Sequence, residues 1–253
     1  LTDTDNLYGL WPFLKTCREE EVTPIVGAEI TDPANSTRAV CLVENDEGFR
    51  SLCRLLTRRH CDKAFDLKNA ISECRSGLAV LTVSPELLEA WHEAGVIVAA
   101  ILPRKPNQTA SKAREAARRL GVPAVVTPSS FFLDPDDYPL HRLLRAIDKN
   151  TSFSRLGPSD VAPPDAWLAS PEEYSKRFDI WPETIRASQE LAERLIFTGP
   201  KNGLVMPPWN DGTGSSAAEV LRERAYEGAR RRYGEELHET VVERIEHELA
   251  QIE

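Results

Sequence analysis

No apolar run in this 253-residue chain approaches the ~20 residues that a membrane-spanning helix needs, and its first residues carry no signal-peptide pattern. Cysteine is sparse: Cys17, Cys41, Cys53, Cys61 and Cys74 make an odd number with no Cys-x-x-Cys pair, which excludes a disulfide framework and a zinc ribbon and fits a reducing cytoplasm. Histidine is sparser in useful spacing, since His60, His92, His141, His238 and His247 form neither His-x-His nor His-x-x-x-His. All five fall on expected helices or helix ends, away from the strand ends where ligands would converge. Glycine-rich phosphate loops are absent, as is the Gly-x-Ser-x-Gly nucleophile elbow. Gly212-Thr213-Gly214-Ser215 has no strand before it and reads as a turn capping the next helix. Excess positive charge is missing too. A formal charge of -9 argues against a surface built wholly to grip phosphates.

What remains is the composition of a folded protein, 41% apolar and 28% charged, long enough for one large domain or a domain with a helical appendage. Basic clusters occur at Arg54, Arg58 and Arg59, at Arg114, Arg118 and Arg119, and at Arg222, Arg224, Arg230, Arg231 and Arg232. They are interleaved with Glu and read as solvated helix faces.

Short apolar strands are expected at 24–30, 39–43, 77–83, 95–102 and 122–127, alternating with amphipathic helices. Leu7, Leu10, Trp11, Leu14 and Cys17 give one face of a helix over 7–21, and Asn45 with Asp46 and Glu47 starts another. Ala110 to Leu120, closed by Gly121, and Asp136 to Asp148 are two more. This alternation indicates parallel β/α units. From Gly157 the chain turns Pro-rich and polar, then helical over 171–178, 182–195, 215–233 and 239–252, with a Gly- and Pro-rich crossing at 199–214. Two regions are expected: 1–156, a β/α unit, and 157–253, a wrapping loop and helical extension.

Thr2-Asp3-Thr4-Asp5-Asn6-Leu7-Tyr8-Gly9, then Gly27-Ala28-Glu29, Leu52-Cys53-Arg54-Leu55, Ser170-Pro171-Glu172-Glu173 and Glu227-Gly228-Ala229-Arg230-Arg231-Arg232-Tyr233-Gly234 carry a resemblance. Together they resemble the polymerase-and-histidinol-phosphatase (PHP) domain at the front of bacterial DNA polymerase III alpha subunits and error-prone alpha-like polymerases. The family reads Thr-Asp-His-Gly-Asn-Leu-Tyr-Gly at the first of these places. The resemblance implies an α/β fold, a distorted parallel β/α barrel that is seven-stranded in the family, with the first strand missing here and a helical C-terminal extension leading toward a polymerase palm and thumb. The start without Met and the palm-linker-like end at Arg244 to Leu249 suggest a segment of a longer protein.

Active members of that family hold zinc or manganese on His, Asp, Glu and Cys gathered from strand ends, and the metals activate a water against phosphorus. Following those positions here, Asp3 and Glu29 match the family's acids, while Thr4 stands in place of a histidine. Arg38 falls where many members have a histidine, and Ser84 where the family has a thiolate. Ser129 and Phe131 replace both ligands of the last motif, Phe131 being expected to fill the pocket with its ring. Asp3 and Glu29 are therefore a vestigial metal pair, with Arg38 a candidate to replace metal charge beside either one.

The expectation is a non-catalytic, structural module of a DNA-directed DNA polymerase serving replication or translesion synthesis, with no catalytic residue and no cofactor of its own. Magnesium would belong to the polymerase domain of the parent. Its partners would be the rest of the polymerase chain, other replication subunits, and DNA through the parent, with no membrane. The alternatives are a metal-dependent phosphoesterase or 3′-5′ proofreading nuclease, and a free-standing interaction module.

Overall fold

A computed structural model describes residues 1–35, 37–201, 209, 212 and 214–252. The elements run β1 (Thr2–Thr4), α1 (Leu10–Glu19), β2 (Gly27–Thr31), β3 (Arg38–Val43), α2 (Asp46–Cys61), α3 (Leu67–Glu73), β4 (Leu78–Thr82), α4 (Pro85–Glu93), β5 (Ile97–Pro103), α5 (Gln108–Leu120) and β6 (Ala124–Thr127). Then follow α6 (Tyr138–Asp148), α7 (Pro171–Arg177), α8 (Pro182–Arg194), α9 (Ala217–Tyr233) and α10 (Glu239–Ile252). This is a mixed α/β architecture whose six strands lie in the order of the sequence, β1 to β6.

The expectation of uniformly parallel strands fails at β3, which runs antiparallel to both β2 and β4. The cause is local. Only residues 32–37 join β2 to β3, too few for a crossover helix, so the chain must fold back as a hairpin. β4 with β5 and β5 with β6 are parallel as expected, and β1, a strand the sequence did not announce, is parallel to β2. Because β3 is reversed, its first residue, Arg38, lies at the same end of the sheet as the last residues of its neighbours: Thr31 pairs with Arg38, and Val40 with Leu81.

Each face of the sheet has its own cover. Ala28, Ile30, Cys41, Val43, Leu78, Val80, Ala100 and Leu102 share one apolar cluster with residues of α1 to α5 and with Phe178 and Phe197. On the other face Leu42, Ala79, Leu81, Ala99 and Val125 pack with Leu191 and Leu195, the second of them just past the end of α8. Burial of this kind contributes ~25 cal/mol per Å² of apolar surface and is the main stabilising term. The free edge of β6 is closed by a side chain. Ser188 Oγ of α8 accepts a hydrogen bond from Val126 N at 2.8 Å, so the last strand offers no open N–H at that point.

Asn45, read as a helix start, caps α2: its Oδ1 accepts from Gly48 N at 3.1 Å, and at α7 Ser170 Oγ accepts from Glu173 N at 3.3 Å. Gly48 has a second reason to be glycine: a Cβ there would stand 1.8 Å from Gly77 O, because the start of α2 lies directly on the chain entering β4. One buried acid ties the β2–β3 hairpin down, since Asp32 Oδ2 accepts from Leu67 N at 3.0 Å at the first residue of α3.

Leu1–Pro200 form one compact unit and Lys201–Glu253 a second. The polar segment after Gly157 therefore packs with the sheet, through α8 and the second apolar cluster. In the second unit α9 and α10 are joined by Arg222 to Glu246 at 2.6 Å and by Tyr226 Oη to the same carboxylate at 2.5 Å. In the turn read at 212–215 Thr213 lies outside the described residues, as does most of the crossing at 199–214; the residue that caps α9 is Ser216.

One helix face has no cover among the described residues. Leu140, Leu143, Leu144 and Ile147 of α6, spaced at i, i+3, i+4 and i+7, are 49–67% exposed. Phe131 at 63% and Leu133 at 66% lie just before it in the chain. Phe131 thus does not fill a pocket, as the sequence suggested. Its ring lies 6.1 Å from that of His141 and otherwise faces outward.

Candidate functional site at the strand ends

Alternation along a strand decides which of the matched acids can meet. Register pairs Thr4 with Glu29 and Asp3 with Ala28, so Glu29 shares a face with Thr4 while Asp3 is on the opposite face of the sheet. The two acids are not brought together. Asp3 Oδ2 instead accepts from Gly9 N at 2.8 Å, at the residue capping α1.

Glu29 is taken up by two neighbours. Thr4 Oγ1 donates to Glu29 Oε2 at 3.0 Å, and Arg38 Nη1 is 3.3 Å from both carboxylate oxygens. A guanidinium therefore sits on Glu29, as the substitution at Arg38 suggested. The neighbouring strand adds only uncharged groups. Thr82 Oγ1 reaches Arg38 O at 3.4 Å, while Ser84 caps α4, accepting from Leu87 N at 3.2 Å and donating to Glu86 Oε2 at 2.8 Å. That position, a thiolate in the resemblance, is spent on starting a helix.

Asp5 was passed over as a site residue by sequence reasoning, yet it is the hub of this corner. It occupies left-handed backbone with φ 55°, which Asp tolerates better than most residues and which the family's glycine at this place adopts freely. Its carboxylate accepts from Thr31 N at 2.8 Å and Thr31 Oγ1 at 2.5 Å, and Arg59 Nη2 lies 3.2 Å away. Arg59 also donates to Thr31 Oγ1 at 3.0 Å. Both charged side chains are largely buried, so Arg59 is no solvated helix residue. Nor is every histidine remote from the strand ends: His60 Nε2 is 2.6 Å from Asp5 O, directly at the end of β1. The readable signal was an acid at a glycine position together with an Arg-His pair closing a helix. The other basic clusters divide likewise: Arg58 pairs with Glu73 at 2.5 Å and Arg114 with Glu183, while Arg224 with Glu227 is a surface pair of the expected kind.

At the far side of the sheet, Arg104 follows β5 with φ 59° and Ser129 follows β6 with φ 45°. Arg104 and Lys105 face Asp165, which arrives from the segment before α7, with Lys105 Nζ 2.7 Å from Asp165 Oδ2 and Arg104 Nε 3.6 Å from Asp165 Oδ1. Burial pushes the Asp165 carboxyl up, but the bond to Lys105 and the charges of Lys105 and Arg104 bring it below the ordinary carboxylate range. Ser129 Oγ meets Thr127 Oγ1 at 3.1 Å. His141 Nε2 accepts from Ala162 N at 2.9 Å, and burial, with Arg145 nearby, holds its pKa down. Cys41 lies in the core with its thiol pushed up to about 12 by burial, so it stays protonated and serves neither as nucleophile nor as ligand.

The donor set does not fit a divalent metal cluster. Glu29 and Asp3 face opposite ways, Glu29 is already neutralised by Arg38 and Asp5 by Arg59. Among the described residues no group of three or more His, Cys, Asp and Glu side chains could hold an ion.

Residues 1–123 match the PHP domain family, which covers β1 through the residues just before β6. These residues are a PHP domain. The whole chain is similar to longer proteins: it is 25% identical to an error-prone DNA polymerase of Symbiobacterium thermophilum over 98% of this chain and 27% of that protein. Similarity to the DNA polymerase III subunit alpha of Neisseria meningitidis serogroup A is 27% over 84% of this chain and 22% of that one. For the subunit alpha of Bacillus subtilis strain 168 it is 24% over 98% and 24%. The chain thus spans about a quarter of the length of the curated relatives it matches. Among the described residues no helix is long and apolar enough to cross a membrane.

Proposed function

We propose that this chain is a non-catalytic, structural PHP module of a cytoplasmic DNA polymerase of the alpha or error-prone type, and that it supports the polymerase core without hydrolysing phosphate esters. One observation carries the reading: the Arg38 guanidinium sits on Glu29, at 3.3 Å from both carboxylate oxygens. In a PHP phosphoesterase the corresponding charge is supplied by metal, which polarises phosphorus and activates water. A guanidinium balances the acid but offers no open coordination position and no acidified water. The fold can therefore keep its charge balance without its chemistry.

The structural role rests on the uncovered stripe of α6. Four large apolar side chains in a row on one helix, with Phe131 and Leu133 beside them, are more than a monomeric surface normally leaves in water. The relatives extend well beyond this region, and the palm and thumb of such a polymerase are the partner this stripe would pack against. DNA is then met through the parent rather than through this acidic segment.

The test is hydrolysis. Purified protein, supplied with zinc or manganese, is expected to leave both bis-p-nitrophenyl phosphate and a 3′-labelled oligonucleotide uncut. Cleavage that disappears in Glu29→Gln would overturn the reading and restore the phosphoesterase or proofreading alternative.

A further inference from the structure

The segment 162–169 crosses the ends of β5 and β6, and its two long sides are held by different forces. On the β6 side the bonds are neutral and mostly backbone. Phe131 N donates to Ala166 O at 2.8 Å, Leu168 N to Phe132 O at 3.0 Å and Ser130 Oγ to Trp167 O at 3.3 Å. Tyr174 Oη adds a bond to Pro128 O at 3.2 Å just beyond. Ala166 is fully buried there, and the Trp167 ring lies under the Arg177 guanidinium at 5.2 Å. On the β5 side the hold is ionic and comes from one residue, Asp165, facing Lys105 and Arg104.

That ionic side is imperfectly closed. The 3.6 Å separation from Arg104 Nε is too long for a hydrogen bond, and this buried nitrogen has no other partner. Lys105 is 58% exposed, so water and salt reach the pair. Arg104 is also held at φ 59°, a conformation that costs a non-glycine residue of order 1 kcal/mol and that relaxes if the contact is released. Pro163 and Pro164, immediately before Asp165, fix two φ angles and let the crossing move as a stiff piece.

We propose that residues 162–169 are a strap, hinged along the β6 side and latched on the β5 side by Asp165, which controls access to the ends of β5 and β6. Closed, it lies over the chain at 103–105 and 128–133. Open, it uncovers Arg104 and Ser129 to solvent and frees Lys105, already exposed, from its carboxylate, while the sheet stays intact. This device rests on the fold alone and stands whether or not the module is non-catalytic.

Hydrogen exchange measured by mass spectrometry on this chain tests it. Asp165→Asn keeps the shape of the side chain and removes its charge, and exchange at 162–169 is expected to quicken about fivefold, with β4 and α2 unchanged. High sodium chloride should quicken the same peptides in the wild type and leave Asp165→Asn unmoved. No change in Asp165→Asn would overturn the latch. Faster exchange throughout, β4 and α2 included, would also overturn it, because the ion pair would then hold the whole fold rather than a strap. A salt response as large in Asp165→Asn as in the wild type would show that salt acts elsewhere and would overturn it as well.

Discussion

The two ends of the strand-end surface solve the same electrostatic problem in different ways. At β1 to β3 two acids are met by cations from an adjacent strand or from the helix that follows, Glu29 by Arg38 and Asp5 by Arg59. At β5 and β6 two cations, Arg104 and Lys105, wait for a carboxylate that comes from the segment just before α7. The first arrangement is built into the sheet and is lost only with the fold. The second depends on a segment that can leave. Rigidity therefore belongs to the β1 to β3 corner, and movement to the opposite corner.

Substitution at Asp5 should show the largest effect. Asp5→Ala strands the largely buried Arg59 and places alanine at φ 55°, so urea unfolding is expected to reveal a loss of about 2–3 kcal/mol. Asp5→Gly removes the same carboxylate without the backbone cost and should lose less. Equal losses would mean that the strain contributes nothing.

Acid should act next, and on the other corner. The Asp165 carboxyl is held below its ordinary range, so the latch contributes fully above about pH 4 and is lost as the pH falls through that lowered value. Exchange in 162–169 should therefore rise at acid pH, after correction for intrinsic exchange, before exchange in β2 and β3 does. Simultaneous release of both corners would erase the distinction between them.

Arg38→Ala is the smallest expected change. The guanidinium is more than half exposed, so its pair with Glu29 should contribute below about 1 kcal/mol, read as a small shift of the thermal midpoint. A loss as great as that of Asp5→Ala would mean that Arg38 is structurally as important as the Asp5 hub.

Much of this was legible in the residues. Apolar strands alternating with amphipathic helices gave the architecture, Asn45 announced its cap, and Arg38, at a ligand position in the resemblance, foretold the contact with Glu29. The failures share a cause, which is that sequence spacing does not report direction in space. The six residues between β2 and β3 imply a hairpin, but the apolar pattern of β3 is the same in either direction. Asp3 and Glu29 resemble a pair until the register assigns them to opposite faces. His60 and Arg59 lie more than fifty residues from Asp5 in the chain and meet it only because α2 ends beside β1. Phe131 stands at a ligand position only in the resemblance, and the loop after β6 turns its ring outward.

The central claim is that ion pairs have taken the place of metals at these strand ends. Metal content settles it most directly: protein equilibrated with zinc and manganese, then freed of excess, should carry less than one equivalent of either, with no difference between wild type and Glu29→Gln. One or more equivalents bound by the wild type and lost in Glu29→Gln would contradict the account.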